Sequence, residues 1–179
     1  MHRITAAILS GALLLSGCSN QLDRVQVKEF IDRADDAARK RFAPEICALR
    51  GKTFELHVTF HGHDAEAPSE LDMTRKLFCR ETGSFARLRQ YQLERKSINI
   101  ELATDRRTAT VTAEYVETMP YYEPDRIPVT PDDFREFQVV ETLDESRVGI
   151  EDGELVFLST DSEAHQSLVS KNSVDIPYD

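Results

Sequence analysis

Residues Thr53 to Phe60 alternate in polarity, with Phe54, Leu56, Val58 and Phe60 on one side and Glu55, His57 and Thr59 on the other. A period of two gives an extended chain one apolar and one wet face, the pattern of a half-buried strand. The pattern returns downstream. Ile98, Ile100 and Leu102 alternate within Ser97 to Ala103, and Ala109, Val111, Ala113 and Tyr115 within Thr108 to Glu117. Phe134 to Leu143 reads as a third long strand. Arg147 to Ile150 and Glu154 to Ser159 flank Asp152-Gly153, a strong hairpin signal.

Ahead of the strands lies an amphipathic helix over Leu22 to Ala43. Val27, Phe30, Ile31, Ala34, Ala38 and Phe42 form its apolar stripe. Glu29–Arg33, Asp35–Arg39 and Asp36–Lys40 are favourable pairs four residues apart on its polar side. Pro44 ends this helix and suits the start of a short second one, which carries Cys47 and has Gly51 as its C-terminal cap. His61 to Ser69 reads as a polar loop. Asp72 or Thr74 caps a third helix that runs to about Glu81 and carries Cys79. Phe85 to Lys96 fits a helix or a strand. Helices followed by long antiparallel strands specify an α+β fold, with the helices packed on one face of a curved antiparallel sheet. The domain is expected over residues 22–160, followed by a polar, flexible tail over 161–179.

The N-terminus carries a different message. Arg3 precedes an apolar run from Ile4 to Leu15, long enough for a signal peptide and too short to span a bilayer. Leu15-Ser16-Gly17-Cys18 resembles the lipobox of bacterial lipoproteins. That resemblance implies cleavage after residue 17, lipidation of Cys18, and a short tether over 18–21. By resemblance to Gram-negative lipoprotein sorting, Ser19 in place of Asp implies the outer membrane, with the domain facing the periplasm. Multiple acyl chains make such attachment stable.

The formal charge is −10, and loss of Arg3 with the leader makes it −11. An acidic surface argues against nucleic acid and against electrostatic adhesion to anionic lipid. With Cys18 acylated, Cys47 and Cys79 remain. In an oxidising compartment an even pair reads as a disulfide; two buried thiols are the rival reading.

The helix start Leu71-Asp72-Met73-Thr74-Arg75-Lys76, the paired segments Ile98-Asn99-Ile100-Glu101-Leu102 and Thr110-Val111-Thr112-Ala113-Glu114, and the closing Ile150-Glu151-Asp152-Gly153-Glu154-Leu155-Val156-Phe157 are together similar to the NTF2-like superfamily, the cone fold of SnoaL-type proteins and ketosteroid isomerases. The resemblance covers roughly residues 22–160. It implies a conical pocket between helices and sheet, which in the superfamily is catalytic, binds a small apolar ligand, or is filled.

No catalytic constellation is legible: there is no GxSxG, HExxH, CxxC or phosphate-binding glycine loop. Tyr91, Tyr115 and Glu141 are the candidates for facing the pocket; the competing reading makes the tyrosines core and the glutamate solvated. Tyr121 and Tyr122, in a stretch containing Pro120, Pro124, Pro128 and Pro131, are candidates for docking a partner or for folding back on the sheet. His57, His61, His63 and Asp64 are the candidate metal ligands, since imidazoles two apart on a strand share a face; a surface loop of titrating histidines is the alternative. No cofactor is expected. The functional expectation is a non-catalytic, membrane-tethered module binding a protein partner or a small apolar ligand. The alternatives are a small cone-pocket enzyme of isomerase or hydrolase type, and a metal-handling protein.

Overall fold

Asp23 starts the first helix, α1 (Arg24–Arg39), with a reciprocal cap: its carboxylate accepts from the Gln26 amide at 2.8 Å, and the Gln26 side chain accepts from the Asp23 amide at 3.1 Å. The computed structural model describes residues 21–63, 67–85, 90–121 and 136–170. The leader with Cys18, Asp64, Tyr122 and residues 171–179 lie outside the described residues, as do Pro124, Pro128 and Pro131. Pro44 sits in the first turn of α2 (Ala43–Ala48), and the Cys47–Cys79 disulfide ties α2 to α3 (Arg75–Phe85) with the Cα atoms 5.2 Å apart.

The strands are β1 (Arg50–His61), β2 (Ser69–Thr74), β3 (Gln92–Leu102), β4 (Thr108–Pro120), β5 (Glu136–Glu151) and β6 (Glu154–Ser170). They form one sheet in the order β2-β1-β6-β5-β4-β3. Every pairing is antiparallel except β1 with β6, which is parallel, so the sheet is mixed where the sequence suggested an all-antiparallel one. The β5–β6 hairpin turns through Asp152 and Gly153, both at positive φ (52° and 86°), as a two-residue primed turn requires. Register shifts at Arg95/Ser97 and Arg147/Val148 bend the long strands, which lets the sheet curl around the helices.

The core lies between α1 and the sheet. Val27, Phe30 and Ile31 of α1, Ile46 of α2 and Leu49 after it pack with Phe54, Ala109, Val111, Val148 and Phe157. Phe30 and Phe157 meet ring to ring at 4.8 Å. Burial of these side chains is the main stabilising term.

Several boundaries differ from the sequence reading. Residues 161–170, expected in the tail, continue β6, because Ser162, Ala164 and Gln166 alternate as small or polar inward residues that carry no hydrophobic signal. The segment read as two strands, up to Leu143 and from Arg147, is the continuous β5. Residues 69–74, read as loop end and helix start, form edge strand β2 against β1. Gly51 lies in β1 rather than capping α2; a Cβ there would stand 3.0 Å from the Glu151 carboxylate, which accepts from the Lys52 amide at 2.9 Å. Phe42, placed in the apolar stripe, is 53% exposed, and Asp35, placed on the polar side, is buried. No helix among the described residues is long and apolar enough to cross a membrane.

Candidate active site inside the cone

The inward faces of β1, β3, β4, β5 and β6 close with α1 around a cavity of about 250 Å³. Its lining is not a dry filling of apolar side chains. Asp35 enters from α1, Arg50 from the start of β1, Tyr115 and Glu117 from β4, Asp144 from β5 and Ser162 from β6, with Tyr91 just before β3. The period-two geometry of strands puts Tyr115 and Glu117, two residues apart, on one face.

Asp35 is held on three sides. Arg95 Nη1 donates to its Oδ2 at 2.7 Å and the Tyr115 hydroxyl to its Oδ1 at 3.2 Å, while Arg39 Nη2 lies 3.8 Å away. The same Arg95 guanidinium donates through Nη2 to Asp32 Oδ1 at 2.6 Å and so straps α1 to β3. Burial pushes the Asp35 carboxyl above its ordinary range, with Arg95 and Tyr115 opposing. Burial and the neighbouring Asp35 carboxylate push the Tyr115 hydroxyl upward, so it stays protonated and donates.

Glu117 stands two residues beyond Tyr115 on the inward face of β4. Burial pushes its carboxyl up to about 7, opposed by a hydrogen bond from the Tyr91 hydroxyl. A carboxyl poised at neutral pH exchanges protons in either direction, as general acid–base catalysis needs. Tyr91 is itself pushed upward by burial and by the Glu117 charge, and remains the donor. Asp144 accepts from Ser162 Oγ on the paired strand. Burial raises it, while Ser162 and the Arg50 charge pull it down. Ser146 and Thr160 share a buried hydrogen bond of 2.9 Å beside it.

Arg50 supplies positive charge from a wall of aromatic rings. Its guanidinium carbon lies 4.2 Å from the Phe157 ring centre, 4.9 Å from Phe78 and 5.1 Å from Phe54. Burial lowers its ionisation to about 10, so it remains a cation at neutral pH.

Of the residues singled out from sequence, Tyr91 and Tyr115 line this cavity. Glu141 stands exposed on the opposite face of β5, in register with His165. Tyr121 follows β4, its amide donating to the Glu136 carbonyl at 3.1 Å, and is not among the residues lining the cavity. Among the described residues, His57, His61 and His63 do not form one cluster. His57 pairs with Asp72 on β2 at 2.7 Å, and the Asp72 carboxylate holds its imidazole above the ordinary range. His63 lies in the turn beyond β1. His61 instead stacks on His165 of parallel strand β6, ring centres 4.2 Å apart, with Glu163 Oε1 3.4 Å from each Nε2. The sequence separation of β1 and β6 hid that grouping.

The cone's charged residues escaped the sequence reading in part. Asp35 occupies the stripe position four after Ile31 and eight after Val27, a legible signal of a buried carboxylate. Glu117 continues the inward series of Ala113 and Tyr115 by one more step. Arg50 carries no such signal, because the register shift between Arg50 and Glu55 interrupts the alternation of β1.

No protein-family model matches the sequence, and no curated protein matches it either. Solved structures do match in fold. A protein from Novosphingobium aromaticivorans provisionally named a scytalone dehydratase superposes with a TM-score of 0.57 at 10% identity, covering 86% of this chain and 89% of that one. The hexachlorocyclohexane dehydrochlorinase LinA-type3 from Novosphingobium barchaimii gives 0.59 at 8% identity, covering 86% and 94%. A Streptomyces avermitilis protein provisionally named a dehydratase from the NTF2-like family gives 0.54 at 11% identity, covering 78% and 93%. The expectation that the protein is not an enzyme is therefore corrected. Structures sharing this cone are named as dehydratases and a dehydrochlorinase, and the cone here holds Asp35, Arg50, Glu117 and Asp144 beside the two tyrosines that the sequence singled out. Identities this low carry the architecture alone: the chain has the α+β cone of the NTF2-like fold, with its helices packed against a curved six-stranded sheet.

Proposed function

We propose that the protein is a small enzyme that performs acid–base chemistry, of the elimination or isomerisation kind, on a molecule held inside the cone. The observation that supports this best is the convergence of Glu117, Asp144 and Arg50 on one cavity. The dehydratase and dehydrochlorinase names among structures of the same fold point the same way. In this reading Glu117, oriented by the Tyr91 hydroxyl, takes a proton from a substrate carbon. The freed electron pair forms the new double bond, and the Arg50 charge stabilises the negative charge that develops. In an elimination the bond to the leaving oxygen breaks, and protonated Asp144 gives that oxygen its proton. In an isomerisation a proton returns to a different carbon.

The lipobox ending at Cys18 supports placing this chemistry on the periplasmic side of an outer membrane, and the Cys47–Cys79 disulfide fits an oxidising compartment.

The test is solvent deuterium exchange. The full chain is incubated in D2O with a panel of small hydroxy and keto acids, and carbon-bound deuterium is followed by NMR. Exchange or water loss that Glu117→Gln slows by about a hundredfold or more supports the reading. Turnover indifferent to Glu117→Gln and Asp144→Asn would sink it.

A further inference from the structure

We infer that Arg50 is a carboxylate-binding residue, and that the cone's ligand is a small acid whose apolar body packs against Phe54, Phe78 and Phe157. The inference rests on the reading of the cone as a working cavity and names the class of molecule it takes.

Arg50 is set apart by its donors. A guanidinium carries five N–H groups in a fixed fork. The Nε and Nη1 of Arg50 are buried and have no protein acceptor within hydrogen-bonding reach. Leaving buried charged donors unmet costs more than leaving neutral ones unmet. Other arginines of the fold have work to do: Arg95 is spent on Asp32 and Asp35, and Arg75 Nε donates to the Arg50 carbonyl at 3.0 Å. Asp144 is close enough for its charge to be felt, yet no ion pair or hydrogen bond joins it to Arg50 among the described residues. Three aromatic rings keep the cation in place without consuming a single N–H. The result is a cation fixed on a cavity wall with two buried donors unmet.

A planar carboxylate fits an edge of a guanidinium, where Nη2 pairs with either Nε or Nη1 in two parallel N–H···O bonds. The aromatic rings beside it favour a ligand with an apolar body. The cavity of about 250 Å³ corresponds to about eight waters at roughly 30 Å³ each. A ligand of the size class of benzoate fits such a cavity.

Benzoate and benzamide share a shape and differ in charge, so they are the probes. The 15N-labelled full chain is titrated with each, reading the arginine Nε–Hε resonances by NMR and the heat by calorimetry, with inorganic phosphate as a non-planar anion. The expected result is a saturable benzoate shift at Arg50, with benzamide and phosphate at least tenfold weaker. Arg50→Met should abolish the preference for benzoate over benzamide. Arg50→Lys keeps the charge without the fork, serves if the Met variant misfolds by circular dichroism, and should weaken benzoate at least tenfold. Equal binding of benzoate and benzamide, undiminished benzoate binding by either variant, or no Arg50 shift up to tens of millimolar benzoate would overturn the inference. Its failure is separable from that of the enzymatic reading. Benzoate held by Arg50 in a protein that exchanges no deuterium would leave the carboxylate site standing alone. Deuterium exchange into a neutral ligand, unaffected by Arg50→Met, would leave the enzyme standing without it.

Discussion

Glu117→Gln should make the protein more stable at alkaline pH and change little at acid pH. In the folded state burial holds the Glu117 carboxyl at about 7, against an ordinary value of 4.5. Below pH 4.5 both folded and unfolded chains carry the proton, and the carboxyl costs nothing. Between 4.5 and 7 the unfolded chain ionises while the folded chain does not, so stability falls as pH rises. Above 7 the folded chain also ionises and the loss levels off. At 1.36 kcal/mol per pH unit, a difference of about 2.5 units amounts to about 3 kcal/mol. Gln keeps the shape and an acceptor for the Tyr91 hydroxyl but has no proton to lose. The assay is urea unfolding followed by far-ultraviolet circular dichroism from pH 4.5 to 8.5 on both proteins. Asp35 and Asp144 are raised in the same direction; their contributions cancel in the difference to the extent that coupling is weak. The stability of the variant minus that of the wild type should climb by about 3 kcal/mol across the window. A difference that stays flat with pH would refute the claim that Glu117 is buried as an ionisable group.

The Cys47–Cys79 bridge closes a loop of 32 residues, and replacing both cysteines with serine should cost about 3–4 kcal/mol in the chain-entropy picture, read as a drop in urea midpoint. Arg95→Met leaves Asp35 buried with its strongest partner gone and should cost about 3 kcal/mol, with Asp35→Asn added to it recovering much of the loss in a double-mutant cycle. For the leader, Cys18→Ser should abolish acylation by intact-mass measurement and move the protein from the membrane to the soluble fraction; unchanged mass and fractionation would remove the lipoprotein reading.

The elements legible in the sequence were those whose burial is carried by apolar side chains. Val27, Phe30 and Ile31 mark α1, Phe54 and Leu56 mark β1, and Ala109, Val111 and Ala113 mark β4, because each repeats at the period of its own structure. What the sequence concealed was the inside of the cone. On β5 the inward series runs Val140, Thr142, Asp144, Ser146 and Val148, so its middle looks like solvent-facing chain and the strand was read as two. The same dilution ended β6 early. A functional cavity erases the hydrophobic pattern that announces a strand, and the places where the alternation failed inside long strands are the places that line the site. Long-range partners were hidden for a different reason. His61 and His165 meet only because β1 and β6 run parallel, a pairing no local pattern encodes.

Three carboxyls share this cavity, and their partners separate their roles. Asp35 is fixed between Arg95 and Tyr115 and serves to hold α1 on the sheet. Glu117 has a hydroxyl partner in Tyr91 and no cation acting on it, and so titrates near neutrality. Asp144 lies between: burial raises it while Arg50 draws it down. An anion seated on the guanidinium cancels the charge that favours ionised Asp144 and adds a like charge beside it, and both effects push Asp144 upward. A carboxylate ligand would thus favour the protonated form of Asp144 as it binds, the form that an acid needs. The carboxyl carbon of Asp144, followed by 13C NMR across pH with and without saturating benzoate, reads this directly. A titration midpoint that rises with benzoate in the wild type and stays put in Arg50→Met is the expected pattern. A midpoint indifferent to benzoate, while the Arg50 resonance shifts, would show the two sites to be electrostatically independent and leave the proton donor to be sought elsewhere in the cone.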